Sequence, residues 1–260
     1  MNLELGGKTA LVTGGSRGIG SAIAAALAAE GCNLHLASRS REDLERARDE
    51  IIRDHGVAVT VHALDLADGD AVRRLALATA TVDILVNNAG AIPGGRVDQI
   101  DNATWKKAWD LKVFGTIGMC REMLASMQQR KYGVIVNVIG LAGERPIAEY
   151  IAGSGANAAL MAMTRAWGAA SVDHGVRVLG VNPGLVATDR MVQLLRAKAA
   201  TTLGDSERWG EFVHAYPFGR PAHASEVADV VCFLASARAA YISGTIVTID
   251  GGTGARGAIF

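Results

Sequence analysis

The chain has 260 residues, half of them hydrophobic and only 5% aromatic, and its 26 basic residues are balanced by 26 acidic ones. That length supports one large domain with a sizeable core, and a formal charge of zero speaks against nucleic acid or an anionic membrane as the main partner. Cys32, Cys120 and Cys232 are too far apart and odd in number for a disulfide framework, no apolar run reaches bilayer-spanning length, and the first strand begins too early for a secretory leader, so a soluble cytoplasmic protein is expected.

Thr9 to Val12 is an apolar run that reads as a strand. It leads into Thr13-Gly14-Gly15-Ser16-Arg17-Gly18-Ile19-Gly20, and an Ala-rich helix from Ser21 to Ala29 leads out. A glycine turn between strand and helix lets backbone N–H groups approach a pyrophosphate, and the helix N-terminus adds partial positive charge. Small residues that merely pack strand on helix give a similar pattern. Asn33 to Ala37 is a second strand ending at Ser38-Arg39, followed by a charged helix from Arg41 to His55. Val57 to Leu64 is a third strand, closed by Asp65, with a helix at Ala71 to Ala80. Asp83 to Val86 is a short buried strand before Asn87-Asn88-Ala89-Gly90. A long helix is expected from Ala103 to Arg130, a strand at Gly133 to Val138, and another long helix from Glu149 to His174. Val176 to Val181 is the sixth strand, before Asn182-Pro183-Gly184, and Thr245 to Ile249 the last, before Asp250. Ala224 to Ala235 is helical.

Strands that are continuous apolar runs, alternating with helices, predict an α/β fold: a Rossmann-like, doubly wound parallel sheet of about seven strands, helices on both faces. No linker or composition shift divides residues 1–260, so one dinucleotide-binding domain is expected. The polar helical segment at 188–216 is inserted after a strand's carboxyl end, where such insertions cover substrates. It reads as a substrate lid or, equally, as a packed surface helix pair. No metal site is indicated, because histidines and carboxylates show no ligand spacing.

These landmarks resemble the short-chain dehydrogenase/reductase family over essentially the whole chain. The glycine loop has that family's TGxxxGIG form; Asn87 to Gly90 match its NNAG motif; Asn182-Pro183-Gly184 with Thr188 match its PG loop. The resemblance implies a bound nicotinamide dinucleotide. It places Gly14, Ser16, Arg17, Gly18, Ile19 and Gly20 at the pyrophosphate. Asp65, equally readable as a plain strand-end cap, and Leu66 fall at the adenine, and Asn88, Ala89, Gly90, Pro183, Gly184, Val186 and Thr188 also fall at the cofactor. An acidic residue at the end of the second strand would favour NAD. Here Ser38 and Arg39 stand there, with Arg17 in the glycine loop, and two guanidiniums suit a 2′-phosphate. NADP(H) is therefore expected over NAD(H), with a small-molecule substrate.

The family's chemistry uses an asparagine, a serine, a tyrosine and a lysine. Gap-free alignment places the serine position at Gly140, the tyrosine position at Gly153, the lysine position at Asn157 and the asparagine position at Lys112. Lysine and asparagine thus look exchanged between two helices. Tyr150, one helical turn before Gly153, is the candidate proton donor, with Lys112, Ser154 and Asn157 beside it; the alternative for Tyr150 is a loop residue packed on the lid. Gly153 and Gly155 each cost a helix about 1 kcal/mol relative to alanine, so something should need the missing side chains: a ligand, or a second subunit. The equivalent helix in the family often forms subunit contacts, and a homodimer or homotetramer is expected. Three functions compete: an NADP(H)-dependent oxidoreductase of a carbonyl/alcohol pair with a non-standard proton donor, a catalytically inactive NADP(H)-binding homologue with a structural or sensing role, and a different chemistry on the same scaffold.

Overall fold

The computed structural model describes residues 1–256; the last four residues of the expected 1–260 domain lie outside the described residues. Seven strands form one sheet: β1 (Thr9–Thr13), β2 (Asn33–Ser38), β3 (Val59–Ala63), β4 (Ile84–Asn87), β5 (Gly133–Val138), β6 (Val176–Pro183) and β7 (Ile246–Ile249), in the order β3-β2-β1-β4-β5-β6-β7. Every pairing is parallel. Parallel strands need crossovers and bury both faces, which is why every residue of β1 and β4 except Thr9 is buried and their centres, Ala10 to Val12 and Ile84 to Val86, are apolar.

The crossovers are α1 (Gly18–Ala29), α2 (Arg41–His55), α3 (Gly69–Ala78), α4 (Asn102–Trp109), α5 (Gly115–Arg130), α6 (Ile151–Ser171), α7 (Asp189–Leu203) and α8 (Ala224–Ala235). Local chemistry sets their ends. Ser40 accepts from Asp43 N and Gly56 closes α2 in the left-handed conformation; Thr188 accepts from Met191 N at the start of α7. Such caps satisfy backbone groups that a helix end leaves bare. Two apolar clusters flank the sheet. Ile23, Leu27, Leu34, Leu36, Val227 and Val231 fill one side. Leu11, Leu75, Leu85, Met119, Met123 and Met127 fill the other. The three methionines recur every four residues, so they lie along one stripe of α5, and all are fully buried.

One expected element is divided. The long helix read from Ala103 to Arg130 is α4 and α5 joined by a π-helical turn, Asp110–Phe114. Apolar periodicity runs through this turn, so nothing in the pattern marks it; the wider turn re-aims Lys112. The 188–216 segment forms α7 and then 3-10 turns over Ser206–Ala215.

Strand order reverses between β1 and β4. In open parallel sheets the crevice at that reversal, beyond the carboxyl ends, is where ligands bind. The glycine loop and Asn88-Ala89-Gly90 leave the sheet on either side of it.

Candidate functional site

The loop after β1 is built from backbone that tolerates no side chains. Gly14 has φ +66°, and a Cβ there would meet Asn88 Nδ2 at 2.8 Å; a Cβ on Gly20 would collide with the Gly14 carbonyl. Asn88 locks the loop by donating to Thr13 O at 3.1 Å and Gly14 O at 3.2 Å. Thr13 Oγ1 accepts from Asn88 N and Ala89 N at 3.0 and 3.1 Å, tying the β1 and β4 exits together. The first turn of α1 has no side-chain cap and no acidic residue, so its N–H groups stay available to an anion. The methyl of Thr188 lies 3.6 Å from where a Gly18 Cβ would stand, which brings the PG loop over the glycine loop. This cradle fits a pyrophosphate.

Further along the crevice, Ser38 closes β2, and Arg39 and Arg17 are both exposed with no carboxylate partner among the described residues. Two free guanidiniums at that end suit a phosphate. Asp65 is occupied by Ala67 N at 3.0 Å, a turn that presents the Asp65–Leu66 backbone at the rim. Pro183 is the last residue of β6, Gly184 N donates to Ile249 O at 2.9 Å, and Val186 bridges to Ala222.

At the exit of β5, Lys112 and Asn157 meet on the backbone of Ile139 and Gly140. The π-helical turn carries Lys112 across to donate from Nζ to Ile139 O at 2.7 Å. Its stem packs on Gly90, where a Cβ would come within 3.1 Å of Cδ. Lys112 keeps partial contact with solvent, yet burial of the ammonium, aided by the charge of Arg190, draws its pKa down to about 7. From the other helix, Asn157 Nδ2 donates to the next carbonyl, Gly140 O, at 3.2 Å. Asn157 is 2% exposed, and its Oδ1 has no partner. A Cβ on Gly140 would stand 3.0 Å from that amide, so Asn157 packs directly against Gly140.

Tyr150 is not in the helix. It is the residue before α6, with φ −140° and ψ 39°, and this frees it from the N-terminal lean of helical side chains. A Cβ on Gly153 would fall on the Tyr150 ring. The ring thus occupies the space where a side chain at 153 would begin. Burial raises its pKa above the ordinary value, and the Arg190 charge opposes that.

One reading of the sequence needs revision. Ser154 is buried with Oγ engaged by Ile147, accepting from its N at 3.0 Å and lying 3.3 Å from its O, so no donor is left over for a substrate. On the loop after β5, Glu144 and Arg145 are tied to the C-terminal stretch: Thr248 Oγ1 donates to Glu144 at 3.1 Å, and Arg145 donates to Gly254 O at 2.7 Å. Gly153, in the first turn of α6, has a neighbour within this same chain. Tyr150 fills the space at Gly153, whereas Trp109, which donates to Ala152 O at 3.0 Å, would meet a Cβ at Gly155 only at an ordinary contact distance of 3.4 Å. One residue of the site escaped notice: Arg190, whose signal was a cation in the first turn of a helix, where the dipole disfavours it.

Among the described residues, no helix is long and apolar enough to cross a membrane and no cluster of three metal-ligating side chains forms. The three cysteines are buried and free.

The family model described as short chain dehydrogenase matches residues 8–199. The chain is 30% identical over 255 residues to an NADPH-dependent reductase, BacG, of Bacillus subtilis, covering 95% of this chain and 97% of that one. It is 34% identical over 258 residues to galactitol 2-dehydrogenase (L-tagatose-forming) of Cereibacter sphaeroides, covering 96% of each. The L-sorbose reductase of Gluconobacter frateurii, solved with NADPH and L-sorbose, superposes with a TM-score of 0.90 at 28% identity, covering 96% of this chain and 98% of that one.

Proposed function

The chain belongs to the short chain dehydrogenase family, and on that footing we propose that it is an NADP(H)-dependent oxidoreductase of a carbonyl/alcohol pair whose proton is handled by Lys112. The observation that carries this reading is Lys112 Nζ on the Ile139 carbonyl, one residue from the family's serine position. An amine with a pKa near 7 is matched to proton transfer at neutral pH, whereas a tyrosine raised above its usual range is not. The expected lysine and asparagine exchange between helices, and the absence of the family's Asn-Ser-Tyr-Lys set, are part of this proposal.

Gly14, Ser16, Arg17, Gly18, Ile19 and Gly20 would hold the pyrophosphate on backbone N–H groups. Ser38, Arg39 and Arg17 would take the 2′-phosphate, and Asp65-Leu66 would border the adenine. Asn88-Ala89-Gly90 and Pro183, Gly184, Val186 and Thr188 would line the nicotinamide end. When bound, NADPH supplies a hydride to the substrate carbon. Lys112 delivers a proton from Nζ to the substrate oxygen. The Tyr150 hydroxyl orients that oxygen, and its ring walls the pocket off from the loop. Asn157 Oδ1, an unmet buried acceptor, is placed to receive a hydrogen bond from an ammonium or hydroxyl group within the site. The chain works as one domain with 188–216 as its lid, on a small-molecule substrate in the cytoplasm, and self-associates as a homodimer or homotetramer.

The test is NADPH oxidation over a panel of ketones and ketoses. Losing general acid catalysis typically costs about 10²–10⁴-fold, so Lys112→Met should fall in that range. Tyr150→Phe, which removes one hydrogen bond, should fall about tenfold. The reverse ranking would move the acid to Tyr150. Tight NADPH binding without turnover on any carbonyl would return the protein to a binding role.

A further inference from the structure

The helix that opens the 188–216 segment carries a cation against its own dipole. Arg190 is the second residue of α7, where a helix N-terminus disfavours positive charge. The side chain reaches away from its helix and across the crevice. Nη1 donates to Gly90 O at 3.2 Å, and Nη2 donates to Ile92 O at 2.5 Å. Both carbonyls belong to the loop after β4, so this fork straps α7 to the opposite wall. Gly90 is also the residue against which the Lys112 stem packs. A continuous path of contacts therefore runs from the guanidinium through Gly90 to the proposed acid.

We propose that Arg190 is a positioning residue that couples closure of the 188–216 segment to proton release from Lys112. The proposal rests on the reading of Lys112 as the acid. The guanidinium field disfavours the charged form of Lys112 and favours that of Tyr150, although burial is the larger influence on each. Asp110 on the π-helical turn, Glu149 beside Tyr150 and Asp189 on α7 leave no comparable imprint on either group. When the segment opens, both hydrogen bonds of the fork break and the cation leaves. Lys112 then holds its proton more firmly. When the segment closes, the proton is released most readily, at the moment when water is excluded. In the step itself the substrate carbon gains a C–H bond from the hydride, and the C=O π pair moves to oxygen. An O–H bond forms as the Lys112 N–H bond breaks; the carbonyl is reduced to an alcohol and NADPH is oxidised to NADP⁺.

The experiment compares the wild type, Arg190→Gln and Arg190→Lys. Lys112 is titrated in the cofactor-free protein by side-chain carbon-13 lysine NMR, its resonance assigned with Lys112→Met. NADPH oxidation is then followed against pH. The Gln variant should shift the Lys112 titration upward and carry the alkaline fall of kcat/KM upward with it. The Lys variant keeps the charge but loses the fork that holds it in place, so its Lys112 titration should fall between those of the wild type and the Gln variant, with a several-fold higher KM. A Lys112 titration that Arg190→Gln leaves in place overturns the coupling; should that variant fail to fold, Arg190→Ala serves as the neutral substitute under the same criterion. A wild type that turns over no carbonyl, with the Lys112 shift intact, removes the acid assignment and leaves the coupling standing. Normal turnover with an unmoved titration does the opposite.

Discussion

Replacing Lys112 by methionine should make the protein more stable while disabling it. A lysine drawn from 10.5 to about 7 pays for its burial in every fold that keeps it charged. At roughly 1.4 kcal/mol per unit, that displacement corresponds to an upper figure of about 5 kcal/mol. Partial solvent contact and the hydrogen bond to Ile139 O reduce it, to about 2–3 kcal/mol. The sign follows from proton counting. Between about pH 7 and pH 10.5 the folded state binds fewer protons at Lys112 than the unfolded chain does, so this group's contribution to stability rises with pH across that window. Below pH 7 both states are protonated and the penalty is constant. Urea denaturation of the cofactor-free wild type and Lys112→Met at intervals from pH 6 to pH 10 isolates the term by difference. The variant's advantage should be largest near pH 6 and shrink steadily above pH 7. Two stability curves that run parallel over the whole range would refute the burial argument, and with it the matched acid.

Gly153→Ala gains about 1 kcal/mol of helix propensity but overpacks the Tyr150 ring by about 1–3 kcal/mol, so it should destabilise. In a Tyr150→Ala background the same change should stabilise instead, a reversal of sign readable by thermal melts in a four-member cycle. Arg39→Glu removes a charge-assisted contact worth about 1.5–3 kcal/mol. The ratio of NADPH to NADH efficiency should then drop roughly 10- to 100-fold in kcat/KM; an unchanged ratio would mean that Arg39 faces only solvent.

Much of the scaffold is legible because parallel strands and their crossovers follow from local apolar pattern. Each strand run, from Thr9 to Ile249, emerges within a few residues of its expected place. The cradle is legible because its glycines answer to backbone geometry close by in sequence. What is not legible depends on contacts between distant elements. The π-helical turn at Asp110–Phe114 costs nothing in periodicity, yet it decides where Lys112 points. Gly153 reads as a gap for some visitor until Tyr150, outside the helix, is seen to fill it. Ser154 looks available by spacing, but the loop over α6 turns back and claims its hydroxyl at Ile147. Arg190 looks like one more surface cation, because its two partners are carbonyls, which no side-chain pattern records.

The interlock of Tyr150 with Gly153 ties the two positions to a common fate. A side chain rooted at 153 meets an occupied seat, and loss of the ring at 150 alone leaves a hole. A substitution at either position is therefore felt at the other, and a larger residue at 153 needs a smaller one at 150.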